Sequence, residues 1–271
     1  MSGRIWALLS SNLEETNHVA KIDLPALIEG LRDFDTALLA NTLDHTDPTP
    51  AHEFYMAGSI QSVTPTLGRT VGVAVVCELD SSSPNGQPSV DDFWRQIDEM
   101  RKMSVPSVWV VKTTGERPEH ECVLGDGMAK TLYAAGCVGA VTDGGVRDIS
   151  GLLTVPFAAY CRGKTIHHCA LRFRALNEPF TIGGITVAPG EIIHANAEGV
   201  IKIPRGSLPN LIDSAVRMRA FEHDAHVVLR RTDLEPATKR RMVSELLPKY
   251  GFGPGAGKSS KSKIGRGKHP K

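Results

Sequence analysis

The chain has 271 residues, of which 41% are hydrophobic and 23% charged, a balance that fits a soluble globular protein with a substantial core. Its formal net charge is +1, yet six Lys and Arg and no acid lie between Gly251 and Lys271, leaving 25 basic against 30 acidic residues elsewhere. That mildly acidic remainder argues against a nucleic-acid-binding surface, and no apolar run approaches the roughly 18 residues of a membrane span.

The apolar stretch from Ile5 to Leu9 is too short for the core of a secretory leader. Cys77, Cys122, Cys137, Cys161 and Cys169 contain no C-x-x-C pair and read as reduced thiols of a cytoplasmic protein. Residues 1–22 are expected to be an N-terminal extension, 23–250 a single domain, and 251–271 a disordered basic tail without apolar residues to dock.

Asp23 to Asp44 predicts a helix: Asp23 can cap it, Pro25 suits its first turn, and Leu27, Ile28, Leu31, Phe34, Leu38 and Leu39 share a stripe. Ser59–Val63 and Val71–Cys77 predict two strands around the turn Pro65-Thr66-Leu67-Gly68. Asp91–Met103 predicts an amphipathic helix, Ser107–Lys112 a strand, and Thr113–Cys122 a charged loop. A helix over Gly127–Ala135 then separates that loop from strands at Val138–Thr142 and Val155–Tyr160. The alternation predicts an α/β core with parallel pairing. Beyond Pro179 come two short strands around Gly183-Gly184, a turn at Ala188-Pro-Gly-Glu191, and a strand near Glu198–Pro204. Ser207 can cap a helix carrying Leu208 to Val228, and a last helix runs from about Glu235 to Leu247.

Gly125-Asp126-Gly127 opens the central helix. A glycine-flanked helix start leaves backbone N–H groups free and favours an anion. Asp143-Gly-Gly-Val-Arg147-Asp148 follows the strand Val138–Thr142, at the strand end where ligands gather in open α/β sheets. Arg147 offers a planar fork that matches a carboxylate, and Asp148 offers hard oxygens suited to Mg²⁺ or Mn²⁺. Neighbouring strands would bring Asp126 and Asp148 to one edge. Such a set can hold a 2-oxo carboxylate: Arg147 and the helix amides bind the carboxylate, and a metal polarises the oxo group.

Asp126, twenty intervening residues, then Arg147-Asp148 resembles the D-x20-R-D signature of the RraA-like family. Ala129, Gly136, Gly139, Asp143 and Gly144 match its intervening pattern. Arg69-Thr-Val-Gly-Val-Ala74, Gly184–Glu191 and Ala195–Pro204 resemble flanking family segments. The resemblance spans about Asp33 to His226. It implies a swivelling β/β/α layered domain, a homotrimer or homohexamer, and active sites between subunits. Family members include 4-hydroxy-4-methyl-2-oxoglutarate aldolases, oxaloacetate decarboxylases and a regulator of ribonuclease E. By resemblance Asp148 ligates the metal (Mg²⁺, or Mn²⁺ or Co²⁺), Asp126 orients metal-bound water, and Arg147 with the amides at Gly125, Asp126, Gly127 and Met128 binds pyruvate. Glu222, on the long C-terminal helix of a neighbouring subunit, would approach the site. Gly151 stands where aldolases of the family usually carry Glu or Asp; Asn41, Asn196 and Glu198 also depart from its pattern. The function implied is a lyase that cleaves a C–C bond of a 2-oxo acid to release pyruvate. A hydrolase or isomerase acting on a related acid, and a protein-binding regulator without catalysis, remain the alternatives.

Other motifs carry less. His167-His168-Cys169 lacks a second ligand pair at zinc spacing and reads as strand or loop. His120-Glu121-Cys122 sits just before the site and could line the pocket, but reads rather as a solvated loop. Gly125-Asp-Gly-Met-Ala-Lys-Thr131 fails the spacing of a phosphate loop, which excludes nucleotide hydrolysis.

Overall fold

The computed structural model describes residues 22–84, 87–168 and 170–253. These form two compact units, one up to Ala215 and one from Val216 onward.

The first unit opens with two helices rather than one. Helix α1 (Leu24–Leu31) is capped by Asp23, whose Oδ1 accepts the Ala26 N–H at 3.1 Å, with Pro25 in its first turn. The chain breaks at Arg32–Asp35 and restarts as α2 (Thr36–Thr46), with Asp35 in extended conformation at its start. The apolar stripe continues through the break because Phe34 is buried like Leu31 and Leu38. Periodicity alone therefore reads through it.

Strand β1 (Gln61–Ser62) precedes β2 (Thr70–Asp80), then α3 (Asp91–Met100) and β3 (Ser107–Thr113). A short strand, β4 (Cys122–Leu124), leads into α4 (Asp126–Ala134) and β5 (Cys137–Thr142). Next come β6 (Gly145–Val146), the single turn α5 (Ile149–Leu152), β7 (Ala158–Cys161) and β8 (Gly163–Lys164). The remaining strands are β9 (Arg172–Arg174), the hairpin β10 (Phe180–Ile182) and β11 (Ile185–Val187), then β12 (Ile192–Asn196) and β13 (Gly199–Ile203). The main sheet has the order β1-β7-β5-β3-β2-β12-β13, with β9 also on β2. Its centre, β2, β3, β5 and β7, is parallel, as the helix–strand alternation predicts.

Both faces of that centre are covered, which is why β2 and β3 read as unbroken apolar runs. On one face Ala74, Val76, Val108, Val110 and Val141 pack under the β10–β11 hairpin. Elsewhere in the core Phe93 of α3 meets Trp109 of β3 edge-on at 5.7 Å and stacks on Phe173. The buried Trp109 indole donates to Gln96, whose amide in turn donates to the Val76 carbonyl, so the polar atoms placed in this core are satisfied.

Three of these strands, β4, β6 and β8, assemble the site and were not expected. β4 and β6 pair in parallel and, with β8, make a separate three-stranded sheet. The layered α/β class expected from the sequence is the class observed.

In the second unit, the far part of helix α6 (Leu211–Leu229) and helix α7 (Pro236–Leu246) are joined by a turn and closed by residues 247–253. The Tyr250 hydroxyl donates to Asp224, and Arg217 lies over the Phe252 ring. Phe252 is 1% exposed, so the apolar docking that the tail was expected to lack occurs at its first residues. Residues 254–271, like the extension at 1–21, lie outside the described residues. Ser207 does not cap α6: it sits in a preceding 3-10 turn and its hydroxyl donates to Asp47.

Candidate active site

Parallel pairing of β4 with β6 sets Cys122 opposite Gly145 and Leu124 opposite Val146. The Arg147 amide donates to the Leu124 carbonyl at 2.9 Å. The residues that follow each strand, Gly125-Asp126 after β4 and Arg147-Asp148 after β6, are thereby brought side by side. The sequence reading had Asp143–Asp148 emerge directly from β5. The chain instead leaves β5, turns at Asp143-Gly144, and uses β6 to reach the site. Asp143 braces that turn by accepting from the Thr113 N–H and hydroxyl, at 2.7 and 2.9 Å.

Gly125 is the residue before α4, extended, and supplies no side-chain cap. The first amides of α4 therefore keep their anion-binding character. A Cβ at Gly125 would stand 3.0 Å from Asp148 Oδ2 and 3.1 Å from Arg147 Nε, tighter than ordinary contact. The bare glycine lets the helix start, the arginine and the aspartate meet.

Arg147 Nε lies 3.3 Å from Asp148 Oδ2, close enough to attract but outside hydrogen-bond geometry, so among the described residues the buried Nε has no hydrogen-bond partner. Nη1 donates to the Ile166 carbonyl at 3.5 Å. Asp148 takes a left-handed backbone conformation, φ 56° and ψ 42°. That region is uncommon for a residue with a side chain and costs about 1 kcal/mol.

Asp126 has a different environment. The Lys130 ammonium, one turn along α4, donates to its Oδ2 at 2.6 Å and holds its carboxyl below the ordinary carboxylate value. On its other side stands Gly151 of α5. A Cβ there would lie 2.6 Å from the Asp126 Cβ and 2.8 Å from its Oδ2. An acid at position 151 is incompatible with Asp126 as placed.

All six positions assigned to the site in this unit, Gly125, Asp126, Gly127, Met128, Arg147 and Asp148, line one cleft of about 350 Å³. Cys122, His168 and Leu171 line it too. Glu121 and Cys122 are buried, 0% and 1% exposed, which overturns the solvated-loop reading for these two, whereas His120 is exposed as that reading expects. Glu121 accepts from the Ser81 N–H and the Ser82 hydroxyl and pins the loop behind β4, while burial pushes the Cys122 thiol up. His168 enters the cleft on the loop after β8, an approach that depends on β6–β8 pairing and leaves no spacing signal in the sequence. Glu222 lies half-buried on α6 in the second unit.

The RraA-like family model (aldolase/RraA) matches residues 39–202. The chain belongs to the RraA-like family. A relative from Halalkalibacterium halodurans bearing the name "Putative 4-hydroxy-4-methyl-2-oxoglutarate aldolase" is 38% identical over 95 residues, covering 35% of this chain and 44% of that protein. Protein DlpA of Legionella pneumophila is 25% identical over 213 residues, covering 76% of this chain and 32% of that protein. The chain thus spans less than half the length of either relative. Among solved structures, Streptomyces coelicolor RraAS2, described as an unusual member of the RNase ES inhibitor RraA protein family, superposes with a TM-score of 0.60. At 21% identity, over 77% of this chain and 99% of that one, it shows a shared fold.

Proposed function

We propose that this chain is a divalent-metal-dependent lyase that cleaves a C–C bond of a 2-oxo acid, such as a 4-hydroxy-2-oxo acid, and releases pyruvate. The observation that carries this reading is the buried Nε of Arg147, which has no hydrogen-bond partner among the described residues. A guanidinium whose Nε is buried without a hydrogen-bond partner, set against an uncapped helix start, is a receptor for a carboxylate.

Asp148 fits a hard cation that keeps most of its water. Its carboxylate is 46% exposed and lines the cleft, and among the described residues no three His, Cys, Asp or Glu gather to cage a metal. Mg²⁺ commonly binds through one or two carboxylates, with water and substrate oxygens completing its shell. When bound there, Mg²⁺, Mn²⁺ or Co²⁺ supplies Lewis-acid polarisation of the 2-oxo oxygen. The protein's own groups do the rest. Arg147 and the α4 amides hold the substrate carboxylate and fix the orientation of the bond to be broken. Asp126, kept ionised by Lys130, accepts a hydrogen bond from water or from the substrate hydroxyl. By resemblance, Glu222 approaches the site of a neighbouring copy in a trimer or hexamer; an active monomer in light scattering would remove that role.

Gly151 favours one second reading. Without an acid beside Asp126, the same carboxylate-binding cleft suits a metal-dependent hydrolase or isomerase of a related oxo or hydroxy acid.

The carboxylate receptor is tested with oxalate, a planar mimic of the pyruvate enolate. Arg147→Lys keeps the charge but loses the fork. A loss of about 1.5–3 kcal/mol, or roughly ten- to hundredfold in calorimetric affinity, is expected. An affinity equal to wild type would refute the receptor.

A further inference from the structure

Cleavage of a 4-hydroxy-2-oxo acid needs a group that takes one proton and gives it back. The base removes the proton of the C4 hydroxyl. The C3–C4 bond then breaks, C4 becomes a carbonyl, and its electron pair passes to C3 as the enolate of pyruvate. The proton must return to C3 to make the methyl group. Among the described residues, five titratable side chains line the cleft: Cys122, Asp126, Arg147, Asp148 and His168.

Four of them are poorly placed for both halves of that task. Burial raises the Cys122 thiol and keeps it protonated. Arg147 is permanently charged. Asp148 faces the Arg147 guanidinium at 3.3 Å. Asp126 is held ionised by Lys130 and accepts without readily donating. Gly151 removes the further acid that might have served, and a side chain there would collide with Asp126 as placed. Imidazole is the side chain that accepts and donates a proton near neutral pH.

We propose that His168 is the proton-transfer residue of this cleft, resting on the lyase reading above. His168 is half-buried on the loop between β8 and β9. That loop is tied to the carboxylate receptor at two points: the Thr165 amide donates to the Val146 carbonyl at 3.0 Å, and Arg147 Nη1 reaches the Ile166 carbonyl. Among the described residues, the titratable groups lining the same cleft are Arg147 and Asp148 after β6, Asp126 at the start of α4 and Cys122 of β4, and the neighbouring His167 ring lies 5.7 Å from that of His168.

The test uses the full chain with Mg²⁺ and three readouts: oxalate affinity by calorimetry, deuterium exchange of the pyruvate methyl group followed by proton NMR, and kcat with KM for pyruvate release. Methyl exchange isolates the return of the proton to C3 and needs no knowledge of the full substrate. His168→Gln is expected to bind oxalate within twofold of wild type, to exchange at least tenfold more slowly, and to lower kcat with little change in KM. His168→Ala should recover exchange when imidazole is added. A variant that exchanges at the wild-type rate overturns the assignment. So does one that loses oxalate affinity, which would make His168 part of the binding wall. A wild type that neither exchanges nor releases pyruvate overturns the lyase reading, and this proposal with it.

Discussion

Asp126 is the residue whose surroundings depart most from what its motif implies. Lys130 grips one side of its carboxylate, and the backbone of Gly151 lies against the other. Gly151→Ala would push the carboxylate off its position. Displacements of about 1 Å in catalytic groups can cost of order 10²-fold, so a fall of that size in kcat is expected from steady-state kinetics. Unchanged kcat would show that Asp126 needs no fixed placement. Asp126, Arg147 and Asp148 were legible in the sequence because a helix start and an Arg-Asp pair carry recognisable chemistry. Lys130 stands at the helical i+4 spacing from Asp126, a signal the sequence reading did not use, and His168 belongs to no patterned spacing. One matters through a single ion pair, the other through a loop whose path strand pairing decides.

At the scale of elements, strong signals came through where one physical rule dominated. The apolar runs of β2 and β3, the amphipathic α3 and the turn at Gly183-Gly184 fall where periodicity and turn chemistry place them. β4, β6 and β8 are two or three residues long, below the length at which alternation can be read, and they are the strands that assemble the site. The break between α1 and α2 was hidden by a continuous apolar stripe. That pair of helices is locked to the sheet by His194 of β12, which is 0% exposed. Its Nδ1 lies 2.9 Å from the Thr36 hydroxyl and its Nε2 3.2 Å from the Leu31 carbonyl. Burial pushes this imidazole down to about 4. Since the unfolded chain binds the proton near 6.5, unfolding takes up a proton between those values, and stability rises with pH across that window. The contribution, roughly 3 kcal/mol, is complete above about pH 6.5 and lost as pH falls toward 4. Urea midpoints between pH 4 and 7 should show this slope, and His194→Gln should flatten it; an equal slope in the variant would exclude His194 as its source.

For the whole molecule, composition and the absence of a long apolar helix among the described residues agree with the layered α/β domain observed. Family membership narrows the chemistry without choosing a reaction, because the RraA-like model spans aldolases and RraA proteins alike. What separates a lyase from a regulator in this chain is whether the Arg147 fork and the Asp148 carboxylate act on a substrate. The most direct measurement is pyruvate release from a panel of 2-oxo and 4-hydroxy-2-oxo acids, with Mg²⁺ and again with EDTA, in wild type and in Asp148→Ala. Release from at least one acid, abolished both by EDTA and by the substitution, is the expected result. No release from any acid, or release indifferent to EDTA and to the loss of Asp148, would contradict a metal-dependent lyase.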